Sequence, residues 1–310
     1  MKKFVSLTIL FFSVFFFACA GGRQLSGHEK FFAFGMKEIN KGIKTYNQGC
    51  YKLSLNHFFM AHEIFTSSDM LKGVAMSLNN IGSVYRITGK SSDAVLFFNE
   101  SFNIYMDIKD VEGAVQALSN KAAALIDNGM FKDAQDTLRK ADKIAQEKGF
   151  ALAALLKNKG ILLFKKKEYI RSEKLMKKAL DLTKPDDLID IAAINFALGK
   201  LMLETDRHKK ALEFFKKALE ADKKSLFYKG IADDLSATAL ACEKLCDHKK
   251  ALNYYIRSVK IYALLGDKKK VVGQIVILDK LSKKTDTDIK STTYFLKQWL
   301  EGKALRSPCD

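Results

Sequence analysis

Small residues recur at intervals near forty along this chain, and that spacing limits what it can fold into more than any other feature. "LNNIGSVYRITGKSSDAVLFFNES" at Leu78 to Ser101 is echoed forty residues later by "LSNKAAALIDNGMFKDAQDTLRKA" from Leu118. Aligned on these stretches, six copies each carry a small anchor: Gly42, Gly82, Ala122, Gly160, Gly199 and Ala239. Twelve residues after each anchor stand Ser54, Ala94, Ala134, Ser172, Ala211 and Ala251. Sixteen after come the large residues Phe58, Phe98, Leu138, Met176, Phe215 and Tyr255, and nineteen after come Ala61, Ser101, Ala141, Ala179, Ala218 and Ser258. Two antiparallel helices explain the pattern: where the axes cross, only Gly, Ala or Ser lets them approach to roughly 8–10 Å, and a bulky residue fills the adjoining groove.

Within the copies, apolar residues return at steps of three and four, as in Leu78, Ile81, Tyr85 and Val95, Phe98, Phe102, which is the helical period and not strand alternation. Turns such as "TGKSSD" at Thr88 and "NGMFKD" at Asn128 lie between the paired helices, where glycine can end the first helix in a left-handed conformation. Only two prolines, Pro185 and Pro308, interrupt the 310 residues, and no Ser/Gly-rich hinge divides them. The pattern predicts an all-α stack of six helical hairpins.

This pattern resembles the tetratricopeptide repeat in its longer form, with units near forty residues. "LNNIGSVY" at Leu78 to Tyr85 and "KALEFFKKALE" at Lys210 to Glu220 carry the likeness, and "DMLKGVA" at Asp69 and "DVEGAV" at Asp110 match its connecting segments. It covers about Lys37 to Gly266 and departs at Thr45 and Cys242, which stand where Tyr or Leu is usual. The resemblance implies a right-handed superhelix whose first helices line a concave face. On this reading residues 35–266 hold the repeats and 267–310 cap them. The cap would use helices near Lys270–Ser282 and Ile289–Ala304, the second amphipathic through Tyr294, Phe295, Leu296, Trp299 and Leu300.

The implied concave face has its own candidate residues. Asparagine stands two positions before the first four anchors, at Asn40, Asn80, Asn120 and Asn158, and gives way to Ala197 and Ala237 in the last two. A primary amide both donates and accepts, so such a ladder suits the backbone of an extended peptide; its other role is to tie neighbouring helices together. Ile43, Tyr46, Ile126, Ile161 and Phe164 would add apolar contact, and Arg86, Lys157 and Lys165 positive charge, which together suit a segment with some acidic character.

At the N-terminus, Lys2 and Lys3 precede an apolar run from Phe4 to Phe17 and then small residues, the arrangement of an export signal over residues 1–18. The run is too short for the roughly 20 residues that span a bilayer. "FFAC" at Phe16 to Cys19 resembles a lipoprotein box with Phe16 in place of the usual Leu, so Cys19 is the expected lipidation site and residues 19–34 a tether to the outer membrane of a bacterial envelope. "ACA" at Ala18 to Ala20 offers ordinary cleavage and a soluble periplasmic or secreted product as the alternative.

The net charge of +17 admits acidic proteins, anionic lipid or nucleic acid as partners. Export argues against nucleic acid, and paired lysines such as Lys216/Lys217 and Lys249/Lys250 lack interleaved stacking aromatics and read as a solvated outer face. Cys50, Cys242, Cys246 and Cys309 form no dense disulfide framework, and Cys242, Cys246 and His248 lack a fourth ligand at useful spacing, so no metal is expected. His28, His57, His62, His208 and His248 make no ligand pair, and no H-E-x-x-H, G-x-S-x-G or phosphate loop occurs. The expectation is a non-enzymatic binding scaffold without a cofactor. The alternatives are an adaptor for a cell-wall enzyme, or a basic structural protein held on anionic membrane.

Overall fold

The computed structural model describes residues 27–305 and Cys309. The export signal, the lipidation site Cys19 and the first part of the tether lie outside the described residues. Among those described, fourteen helices and no strand are present. They pair as α1 (Gly27–Asn47) with α2 (Tyr51–Ser67), α3 (Leu71–Ile87) with α4 (Ser91–Asp107), and α5 (Val111–Asp127) with α6 (Phe131–Glu147). The series continues with α7 (Ala153–Lys165) and α8 (Tyr169–Leu182), α9 (Leu188–Glu204) and α10 (His208–Ser225), and α11 (Tyr228–Lys244) and α12 (His248–Leu264). Next come α13 (Lys268–Thr285) and α14 (Lys290–Leu300), which packs back on α12. The architecture is an all-α tetratricopeptide-like superhelix. No described helix is long and apolar enough to cross a membrane.

The anchors do what their spacing requires. A Cβ placed on Gly42 would lie 2.4 Å from the Phe58 ring, and one on Gly82 2.7 Å from Phe98. On Gly199 it would meet Phe215 at 2.5 Å, and on Gly160 the Met176 side chain at 2.7 Å. Each is the pairing of an anchor with the bulky residue sixteen positions on, and the small residues at twelve and nineteen are all fully buried. Serines at these places hide their hydroxyls in a repeating way. Ser54 and Ser172 each donate to the carbonyl of their own anchor glycine, at 2.8 Å in both cases. Ser101 and Ser258 donate to Ala75 and Ala232, one helix away, also at 2.8 Å.

A second set of close contacts joins one hairpin to the next at three of the joints. Gly73 would meet Phe65 at 2.3 Å and Gly113 would meet Tyr105 at 2.5 Å if either carried a Cβ. Gly230 makes room for a carboxylate: a Cβ there would lie 1.9 Å from Asp222 Oδ2. Asp222 and Asp234 are both buried and share a hydrogen bond between their carboxyls, so one proton lies between them. Burial raises both above the ordinary carboxylate range, and the charge of Asp222 raises Asp234 further.

Left-handed turns close the helices, with φ of +81° at Gly89 and +75° at Gly129, as the turn sequences imply. Lys109, Lys167 and Cys246 take the same conformation without glycine's freedom. Cys246 is therefore in a turn while Cys242 is buried in α11, and both are free thiols. In the C-terminal cap Leu296, Trp299 and Leu300 enter the core beside Leu252, Leu278 and Leu281. Tyr294 and Phe295 stay exposed, so only part of the amphipathic face expected there is used against repeat six.

Gly82→Ala should lower stability by about 1–3 kcal/mol in urea unfolding, although alanine favours helices, because the new methyl overpacks Phe98. Combining it with Phe98→Leu should recover part of the loss. The acid pair gives an inverted pH dependence: carboxyls whose folded pKa is raised stabilise most below their ordinary value of 3.8 and lose that contribution as pH rises through the folded range. Asp234→Asn should therefore melt higher than the parent at pH 7–9, and its melting temperature should fall less steeply with rising pH.

Candidate functional site

The residues expected on the concave face separate into two groups. The amides mostly join repeats. Asn158 is buried and donates to the Ser119 carbonyl at 2.8 Å, tying α7 to α5. Asn120 donates to Asn79 Oδ1 at 3.0 Å and accepts from Gln116 at 3.1 Å, tying α5 to α3. Gln274 repeats the device one end further on, donating to Ser236 at 2.8 Å. Asn80 bonds its own helix at Met76 O, at 2.9 Å, and Asn40 is exposed. The ladder is thus not a continuous row of free amides. Asn158 is corrected from a groove residue to an internal tie, because its N–H is spent inside.

Ile126 is also corrected: it is buried in the core formed by α5 and its neighbours, with Leu125 and Leu138. Ile161 and Phe164 are half-buried at the edge of that core and the next. Ile43 is exposed. Lys157 is paired with Asp190 on α9, a mostly buried link between repeats four and five. Arg86 pairs with Asp127 of the next repeat at 2.9 Å.

Tyr46, Arg86 and Lys165 share an electrostatic neighbourhood with four residues not singled out from the sequence, Asp127, Lys200, Asp233 and Lys270. Tyr46 senses the charges of Arg86 and Asp127, while burial is the main cause that raises its hydroxyl pKa. Lys200 has its pKa lowered first by burial and then by the charge of Lys165, with weaker effects from Asp233, Lys270 and Asp127. The charges that act on Lys200, itself on α9, come from α5, α7, α11 and α13, the first helices of four other hairpins. Water still reaches Lys200, which is exposed although desolvated, as a side chain inside a concave surface would be. Asp233 is engaged with Lys229 at 2.7 Å and Lys270 at 3.8 Å. Lys165 and Lys200 make no ion pair, and Lys200 lies 5.8 Å from the centre of the Phe196 ring.

Register could have identified two of these additions. Asp127 follows its anchor by five residues as Lys165 does, and Lys200 follows its anchor by one as Ile43 and Ile161 do. The sequence carried no such signal for Phe227, which stacks on Tyr46 from repeat six, or for the disulfide between Cys50 and Cys309. No group of three His, Cys, Asp or Glu suited to a metal occurs among the described residues.

Residues 151–224, repeats four and five, match a family model described as tetratricopeptide repeat. The fold is similar to that of the Rap conjugation gene regulator of plasmid pLS20 in complex with the Phr* peptide. There the identity is 16% over 92% of this chain and 78% of that one, with a TM-score of 0.58. A Rap protein complexed with competence and sporulation factor is 16% identical over 84% and 77% of the two chains, with a TM-score of 0.57. BtubC from P. vanneervenii is 14% identical over 77% and 92%, with a TM-score of 0.50. These likenesses define the class of fold, a tetratricopeptide-like superhelix. No curated protein matches the chain.

The two kinds of amide predict different mutational costs. Asn158→Ala should destabilise by about 1–3 kcal/mol in chemical unfolding, because it strips a buried hydrogen bond between repeats. Asn40→Ala should stay within about 0.5 kcal/mol of the parent.

Proposed function

We infer that the chain is a non-catalytic scaffold that holds an extended, acidic segment of another protein or a peptide on its concave face. The observation that carries this reading is Lys200, an exposed ammonium 5.8 Å from the centre of the Phe196 ring with no carboxylate bonded to it, whose pKa is lowered by burial and then by the charge of Lys165. An ammonium that is partly desolvated and unpaired gains most from an incoming anion, since charge-assisted hydrogen bonds are the strong ones. Phe164 and Phe196 flank the two lysines with apolar surface, and Arg86 and Asn80 extend the polar edge towards repeat two. The two Rap structures of similar fold, each in complex with a peptide or factor, support the choice of a peptide-like ligand.

The place of action we propose is the periplasmic side of a bacterial envelope, with Cys19 lipidated and the chain held at the outer membrane. The leader supports export. The Cys50–Cys309 disulfide is in keeping with it, because such bonds persist in oxidising compartments. A tethered, basic scaffold with a peptide-sized inner face suits the assembly of a secretion, pilus or outer-membrane complex, and its partner would carry the acidic segment.

Photo-crosslinking of the full chain in envelope fractions, followed by mass spectrometry, tests the reading. Lys165→Glu with Lys200→Glu should reduce recovery of an acidic-segment partner by on the order of tenfold or more, the equivalent of about 1.5–3 kcal/mol for each lost charged contact. The melting temperature should stay near that of the parent. Lys216→Glu with Lys217→Glu, on the outer face, should leave recovery unchanged; equal losses in both variants would remove the concave face from the explanation.

A further inference from the structure

The superhelix comes full circle. The turn of the first hairpin lies against the far end of the chain, where Tyr46 stacks on Phe227 with ring centres 6.0 Å apart and planes within 4°. Asn47 donates to the Ser225 carbonyl at 3.4 Å, a bond between residues 178 positions apart. Gly49 packs so tightly on Leu265 that a Cβ there would lie 2.6 Å from its Cδ2. Beside these contacts Cys50 is joined to Cys309, 259 positions away, with Cα atoms 5.3 Å apart. On the concave-face reading Phe227, stacked on Tyr46, occupies surface that a bound segment would need.

The side of the ring opposite this seam is its weakest. α7 and α8 have only 13 and 14 residues, the shortest helices of the six repeats. Extended backbone enters the first at Leu152 and leaves the second at Thr183, with Pro185 just beyond. The packing of α7 on α6 and of α9 on α8 is also sparser than at the other joints between hairpins. Repeat four is thus a natural hinge between repeats one to three and repeats five and six.

We propose that the Cys50–Cys309 disulfide is a redox clasp that keeps the superhelix shut on its own concave face, and that reduction lets the two halves swing apart about repeat four. Cys309 is the exposed partner and Cys50 the buried one. An external thiolate therefore attacks Cys309 Sγ, the S–S bond breaks, and Cys50 leaves as a thiolate that takes up a proton. A second thiol of the reductant resolves the mixed disulfide at Cys309. Two electrons and two protons pass to the protein, and the dithiol reductant becomes a disulfide. The benefit for ligand entry rests on the concave-face reading, but the opening does not, and it is measured without ligand.

The test compares the full chain in oxidised form, after dithiothreitol, and as Cys309→Ser, all with Cys242→Ser and Cys246→Ser to silence the free thiols. Small-angle scattering should show a larger radius of gyration and maximum dimension on reduction. Hydrogen exchange should rise by about tenfold or more at Gly49, Cys50 and Phe227 while α3 to α5 stay protected. Phe227→Ala with the disulfide intact should scatter as the closed form. Identical scattering and exchange before and after reduction would overturn the clasp. Melting of every helix on reduction would also overturn it, because the bond would then be a general staple. Should Cys309→Ser fail to fold, the dithiothreitol arm on folded protein gives the answer alone.

Discussion

The contact of a glycine backbone with a large buried side chain one helix away is the interaction from which this architecture is built. Gly82 against Phe98 and Gly199 against Phe215 let the two helices of a hairpin touch, and Gly73 against Phe65 does the same between hairpins. The two sets set the angle at each joint, and the angle repeated along the chain becomes the curvature of the superhelix. The concave face and the meeting of the first and sixth repeats are both results of those local crossings.

Polar groups inside the stack follow the same economy of position. Serine replaces alanine at a crossing only where its hydroxyl finds a carbonyl, as Ser54 and Ser101 do, so the small volume is kept and the donor is satisfied. The amides of Asn120, Asn158 and Gln274 are used between first helices, which makes them part of the frame that carries the inner charges. The economy is incomplete: the acid pair Asp222 and Asp234 leaves one oxygen of each without a hydrogen-bond partner, as do the amide oxygens of Asn195 and Gln274. The acid pair stands beside the segment that reaches Tyr46, since the Phe227 N–H donates to the Asp222 carbonyl, so a buried charge adjoins the seam of the ring.

The hairpins were legible in the sequence because small and large residues at fixed offsets have only one packing solution. The glycines that join hairpins, Gly73 and Gly113, sat inside segments read only as family-like connectors. The inner face was legible in part. Tyr46 stacks on Phe227 and Arg86 pairs with Asp127, while Asn158 and Ile126 go into the interior because a helix face is divided between surface and neighbour by a rotation of a few tens of degrees. Residue type cannot resolve that rotation. The pairing of Cys50 with Cys309 had no local signal at all, since it depends on the curvature summed over six repeats.

A solenoid is ordinarily a line of neighbours, each stabilised by the next, and its two terminal units fray first because each lacks a neighbour on one side. Joining Cys50 to Cys309 changes that line into a circle. The loop it closes is long enough that the chain-entropy contribution is on the order of 5 kcal/mol. In the oxidised chain the units that would melt first are held by each other, and unfolding must begin in the interior of the array, where repeat four has the shortest helices.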